Sequence, residues 1–317
     1  MNSPKRPPVP PFVAILFGIL AVSTASIFIR FAQREVASLV IAAWRLTIAS
    51  LILVPIAAFT HKKELVGLSR RDILLALLSG TFLALHFATW ITSLEYTTVA
   101  SSVVLVSTIP LWVALLSPFT IKEPIRLAVI VGLIFALLGG IVVGISDSCP
   151  IVAGKLSCPS LSEFMQGQAF LGDLLAVCGA IAGAGYLLIG RKLRVKMSLV
   201  SYISLVYGMA ALVLILIMVS AGLKSTGYSP QIYLWLFLLA IIPQLIGHST
   251  FNWALGYLSA AFVSITLLGE PIGSTILAYL ILQEKPSLIK LIGGGLILVG
   301  IYVASRSEAE KPPVLPG

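Results

Sequence analysis

The chain has 317 residues, 58% hydrophobic and only 10% charged, with 21 Lys and Arg against 12 Asp and Glu for a net charge of +9. Soluble domains carry about 25% charged residues, so this composition cannot wet a globular surface; it excludes a soluble enzyme, a disordered chain and a disulfide scaffold. The basic excess could suit a nucleic acid, but Lys and Arg also collect in the cytoplasmic loops of membrane proteins, which accounts for it with no nucleic-acid partner.

A helix needs about 20 apolar residues to cross a bilayer. After a Pro-rich tail (1–10), uncharged stretches run from Pro11 to Ile29, Ile73 to Leu94, Tyr96 to Ile121, Leu127 to Ser146, Leu174 to Gly190 and Met197 to Leu223; another, from Val36 to Thr60, is interrupted only by Arg45. The stretch from Ser225 to Gly269 holds no formal charge over 45 residues. At 1.5 Å per residue it is more than twice as long as the hydrocarbon is thick, so it must turn back, and Gly256-Tyr257-Leu258-Ser259 is the expected turn. A ninth helix follows over 259–282 and a tenth over 286–305, which makes an all-α integral membrane protein of ten spans. The apolar run after Lys5 and Arg6 is too long for a secretory h-region, so the first span is expected to stay.

Cation counting sets the orientation. With the N-terminus inside, inner loops and tails hold fourteen Lys and Arg and outer ones six. Both termini are therefore expected in the cytoplasm of a cell whose inner membrane the chain spans.

Shifting the chain against itself by 161 residues aligns Tyr96 with Tyr257, Pro110 with Pro271, Glu123 with Glu284, Gly132 with Gly293 and Gly139 with Gly300. The repeats would cover 11–146 and 169–305, joined by an outer loop at 147–168 and followed by a cytoplasmic tail at 306–317. Five spans per copy is an odd number, so the copies cross the membrane in opposite senses, an inverted repeat of the kind that builds transporters.

The segment LGYLSAAFVSITLLGEPIGSTILAYLILQEKPSLIKLIGGGLILVGIY, beginning at Leu255, resembles the second repeat of the EamA family of the drug/metabolite transporter superfamily. The matching features are the turn Tyr257, Glu270-Pro271, Glu284 and a Gly-rich last helix. LEYTTVASSVVLVSTIPLWVALLSPFTIKEP and AAWRLTIASLIL are similar to its first repeat. In the first repeat Ile109 occupies the place of Glu270. The resemblance implies a ten-helix carrier of small metabolites that uses neither ATP nor another cofactor.

Four residues stand out as substrate-site candidates. Arg45, about 10 Å below the outer edge of its span, costs at least about 2.5 kcal/mol there unless it is paired or faces water; a structural brace is the alternative. Glu270 lies near the midplane, where a carboxylate is protonated, paired or open to a cavity, and Pro271 after it frees the carbonyl of Leu267 and bends the helix. His86 sits level with Arg45 and Trp90 one turn from His86. His248, nearer the inner surface, carries less weight, and Ser23, Thr24 and Ser26 either face the cavity or bond their own helix. The small-residue stripes Gly132/Ala136/Gly140/Gly144 and Gly172/Ala176/Ala180/Ala184 read as close helix packing. HExxH, Walker and clustered metal-ligand motifs are absent from the sequence, so no enzyme and no metal site are expected.

With one embedded cation, a dianionic phosphate lacks fixed donors, and small neutral, zwitterionic or aromatic metabolites such as amino acids, exported, fit better. Passive pore and non-transporting scaffold remain the rival readings, and oligomeric state is open. Cys149 and Cys158 flank a short outer loop and are expected to form a disulfide, with Cys178 buried and free.

Overall fold

The structure, a computed structural model, describes residues 9–97, 99–148, 151–152, 155–156, 168–282 and 288–309. It is an α-helical membrane protein. In hydrocarbon the backbone must satisfy its own polar groups, and helices do so within one segment. Among the described residues seven helical segments are long and apolar enough to cross a bilayer: Pro11–Ala32, Ser38–Thr60, Arg70–Tyr96, Phe170–Arg194, Leu199–Ser220, Pro230–Ala254 and Ala260–Ile281. Ile109–Thr120, Leu127–Gly139 and Leu291–Ala304 are apolar but shorter. The outward faces carry Phe17, Leu51, Phe59, Phe119 and Leu216, all exposed, as a surface against lipid tails requires.

The helices are α1 (Pro11–Ser23), α2 (Ala25–Ala32), α3 (Ser38–Thr60), α4 (Lys62–Val66), α5 (Arg70–Tyr96), α6 (Val99–Val106), α7 (Ile109–Thr120), α8 (Leu127–Ser148), α9 (Gln168–Arg194), α10 (Leu199–Ser220), α11 (Pro230–Leu239), a π-helical segment (Ala240–His248), α12 (Ser249–Ala254), α13 (Ala260–Thr266), α14 (Gly269–Leu282) and α15 (Leu288–Ala309). A two-residue hairpin, β1 (Ile151–Val152) with β2 (Lys155–Leu156), lies between α8 and α9.

The expected turn at 256–259 is present between α12 and α13, where the Ser259 hydroxyl accepts from the Phe262 amide at 3.2 Å and caps the new helix. Two rods break just before a proline, α6/α7 ahead of Pro110 and α13/α14 ahead of Pro271. The pyrrolidine ring lacks an amide and clashes with the preceding turn, so the helix restarts. The carbonyl of Leu267 is not left free as expected; it accepts from the Glu270 amide at 2.9 Å.

Three glutamates from linkers or neighbouring helix ends cap helix starts, where unpaired amides and the dipole favour negative charge. Glu95 takes the Ser38 amide at 2.9 Å, Glu64 the Ser198 amide at 2.7 Å and Glu35 the Ser229 amide at 3.0 Å. The Ser229 amide and hydroxyl hold the Glu35 carboxyl below its ordinary range. Burial pushes Glu64 up, but donors from Ser198 and Ser201 outweigh it and hold its carboxyl low as well.

Packing is dominated by α5 on α9, α8 on α15 and α3 on α10. Small residues allow the closest approaches. A Cβ at Gly139 would meet the Gly293 carbonyl at 2.5 Å, and one at Gly132 the Gly300 carbonyl at 2.5 Å. The contact face of α8 includes Gly132, Ala136 and Gly139; Gly140 and Gly144 of the expected stripe lie outside the described side chains.

One expectation about cysteine changes. Cys178 is exposed, not buried. It shares an outward stripe of α9 with Leu171, Leu174 and Ile181, while Ala176, Ala180 and Ala184 take the buried face. Cys149 and Cys158 lie outside the described residues.

Candidate functional site

The polar residues expected to matter converge on one aromatic side chain, Phe87. Helix α3 brings Arg45 to it, with the guanidinium carbon 4.1 Å from the ring centroid. Helix α5 carries Phe87 between His86 and Trp90, whose rings stack at 5.9 Å and 22°. His248, from the π-helical segment, meets Phe87 edge-on at 5.2 Å. The weight placed on Arg45, His86 and Trp90 therefore falls on a real cluster, and His248 belongs to it more closely than its sequence position suggested.

Arg45 has no exposed surface. Its Nε donates to the Gln244 side-chain oxygen at 2.7 Å, but neither terminal nitrogen has a hydrogen-bond partner among the described residues. The Trp90 indole nitrogen is likewise buried and unpartnered there, while the Gln244 side-chain nitrogen has the Tyr207 hydroxyl beside it. Burying donors without acceptors costs about 1–3 kcal/mol each, so several such groups at one place are a strained arrangement.

His86 is anchored by its Nδ1, which lies 2.9 Å from the carbonyl of Gly179 on α9. Glycine makes that approach possible: a Cβ at Gly183 would sit 3.0 Å from the same ring nitrogen and 2.9 Å from Ile109. Gly183→Val is expected to push His86 off Gly179 and lower transport at least about fivefold while the protein still folds, since Ile109 can yield. Transport in reconstituted liposomes beside a size-exclusion profile checks this.

The π-helical segment is what positions Gln244. Pro243 cannot donate, and widened turns of this type occur often at functional sites. One turn on, Asn252 donates to the Tyr186 hydroxyl at 2.5 Å, the Tyr207 hydroxyl at 3.2 Å and the His248 carbonyl at 2.9 Å. Tyr202 joins Ser79 at 2.8 Å on the same side of the core. Reading formal charge alone missed Gln244 and Asn252. The signal that could have found them was that both are among the three amide side chains, with Gln231, inside a 45-residue run without formal charge.

Glu270 stands apart. It is half-buried, and its carboxylate forms no ion pair with Arg45, although each lies within electrostatic range of the other. Arg45 also acts electrostatically on His86 and His248. The start of α14 is held against α1, with the Ser274 hydroxyl donating to the Ser23 carbonyl at 3.1 Å. Ser23 and Thr24 bond their own helix, at Ile19 and Ala21, both at 2.7 Å.

A second network ties one end of the bundle. Arg191, near the end of α9, bonds Glu123 at 2.6 Å and the Leu255 carbonyl at 2.9 Å, while the other Glu123 oxygen reaches the Ala260 amide at 3.4 Å. Arg194 bonds the Asn252 carbonyl at 3.0 Å and the Met197 carbonyl. No group of three or more His, Cys, Asp or Glu positioned for a metal occurs among the described residues.

Similarity to known proteins follows the same architecture. A crystal structure 18% identical in sequence superposes with a TM-score of 0.70 over 94% of this chain and 97% of its own, so the fold is shared. An uncharacterized transporter of Archaeoglobus fulgidus is 24% identical over 286 residues, 90% of this chain and 93% of that protein. The uncharacterized transporter YetK of Bacillus subtilis is 24% identical over 280 residues, 86% of this chain and 79% of its own. The model of the EamA-like transporter family matches twice, over residues 10–145 and 170–306. With both halves matched, the chain belongs to the EamA-like transporter family.

Proposed function

We propose that the protein is an alternating-access secondary transporter of small metabolites such as amino acids or aromatic compounds, working as an exporter in the inner membrane with both termini cytoplasmic. Ten spans in two inverted five-helix repeats form the frame. The observation that carries this reading is the sealed cluster around Arg45: a permanently open pore keeps its charged groups in water, whereas Arg45 has no exposed surface.

The repeat is supported by contacts that exchange under the 161-residue shift. Gly132 packs on Gly300 and Gly139 on Gly293, and the shift turns the first contact into the second. The breaks before Pro110 and Pro271 are equivalent under the same shift. Two-fold exchange of this kind lets one bundle rock against the other.

In this frame Arg45, His86, Trp90 and Glu270 line the substrate path, and Arg191 with Glu123 latches the cytoplasmic end. Glu123 is about a quarter exposed (26%), so losing the pair is expected to shift the equilibrium by about 1–2 kcal/mol, less than for a fully enclosed pair. Glu123→Gln should therefore speed hydrogen exchange at the amides of 255–262, and unchanged protection would remove the latch.

Counterflow in liposomes tests the carrier itself: internal unlabelled solute accelerates uptake of labelled solute through a carrier and not through a pore. Glu270, within range of Arg45, is the proton-coupling candidate. Glu270→Gln is expected to leave expression intact and flatten the pH profile of transport; an unchanged profile makes Glu270 a packing residue beside Pro271.

A further inference from the structure

We propose that Arg45 and Gln244 together form the docking point for the carboxylate of the transported solute, an organic monocarboxylate with an apolar or aromatic body. The inference rests on the carrier reading and names its substrate class.

The orientation of the donors is fixed by bonds already made. Arg45 Nε is committed to Gln244, which leaves the two terminal nitrogens of the guanidinium as a free fork. The same bond fixes the Gln244 amide: its oxygen faces Arg45, so its nitrogen, a donor, is turned to the Tyr207 hydroxyl. Two terminal guanidinium nitrogens with no acceptor among the described residues therefore stand beside an amide donor that shares only one phenol, on residues with no exposed surface. A planar guanidinium matches a carboxylate in two parallel bonds, and a side-chain amide adds a third.

The sign of the missing partner follows from charge. Among the described residues no carboxylate pairs with Arg45, Glu270 included, and one face of the guanidinium is already covered by Phe87. One cation neutralises a monoanion, and the amide adds a hydrogen bond without charge; a dianionic phosphate would retain an uncompensated buried charge. Phe87, His248 and the stacked His86 and Trp90 supply the apolar and aromatic wall beside the fork. The fork is sealed in this conformation, so the solute enters in a state that opens the site.

Counterflow by the full-length protein in liposomes, with matched acid and amide probes, provides the test. L-phenylalanine and L-phenylalaninamide, leucine and leucinamide, and benzoate and benzamide differ in whether the carboxyl group is charged. The acid of at least one pair is expected to drive counterflow at least about 10-fold better than its amide, a difference of about 1.4 kcal/mol, which one charge-assisted bond supplies. Gln244→Leu should shrink that preference and Arg45→Gln abolish it, with monodisperse size-exclusion profiles showing that both variants fold. Equal transport of acid and amide, or a preference that survives Arg45→Gln, overturns the carboxylate site and leaves the carrier standing. Counterflow confined to neutral solutes from a wider metabolite panel does the same. Absence of counterflow for every solute overturns the carrier reading and this inference with it.

Discussion

Gly132→Leu is expected to lower the stability of the folded bundle by about 3 kcal/mol, at the upper end of overpacking costs. A Cβ there would lie 2.5 Å from the Gly300 carbonyl oxygen and 2.9 Å from the Ala304 side chain. A backbone carbonyl cannot turn aside as a long side chain can, so α15 must move away from α8 as a body. Close helix contact in lipid depends on packing alone, because lipid tails are as apolar as leucine and burial adds no drive. Gly295→Leu is the matched control: a Cβ there has nothing within 4 Å, and the change should be nearly neutral. Thermal midpoints of the two variants in one detergent compare them directly. Equal midpoints would show that the α8–α15 contact does not limit stability.

Arg45→Met should abolish transport of the carboxylate solute and leave the thermal midpoint unchanged or higher. Methionine keeps an unbranched apolar body against Phe87 while removing a buried charge whose terminal nitrogens are unpartnered. The change leaves the Gln244 oxygen without its donor, a cost of about 1–3 kcal/mol, and relieves a desolvation cost of several kcal/mol. Stability retained while activity vanishes is the mark of a strained functional group. A midpoint lowered by about 5 °C or more would make Arg45 the structural brace that sequence reading kept as its alternative.

Composition and the length of the apolar runs were enough for the membrane class and the turn at 256–259, and Pro271 marked a disturbance in its helix, whereas the break ahead of Pro110 was not foreseen. These features are local. A run without charges must cross or turn, and a proline removes a helix hydrogen bond, although Pro55 and Pro118 are carried inside continuous helices. Residue type alone also marked Arg45 and His86, because a charge or an imidazole in hydrocarbon is costly in any fold.

Which way those residues turn was decided only by tertiary structure. The spans are apolar nearly all round, so no polar stripe marks an inner face in the sequence. Cys178 was placed inside on that weak ground and is exposed, because alanines occupy the buried side of α9. Gln244 went unnoticed because it carries no formal charge, and the π-helical segment that aims it at Arg45 reflects how the helix packs against its neighbours. The sequence determined that a cation would lie within a span. The three-dimensional packing left its fork without an acceptor, because contacts between helices far apart in the chain fix the partners of a buried group.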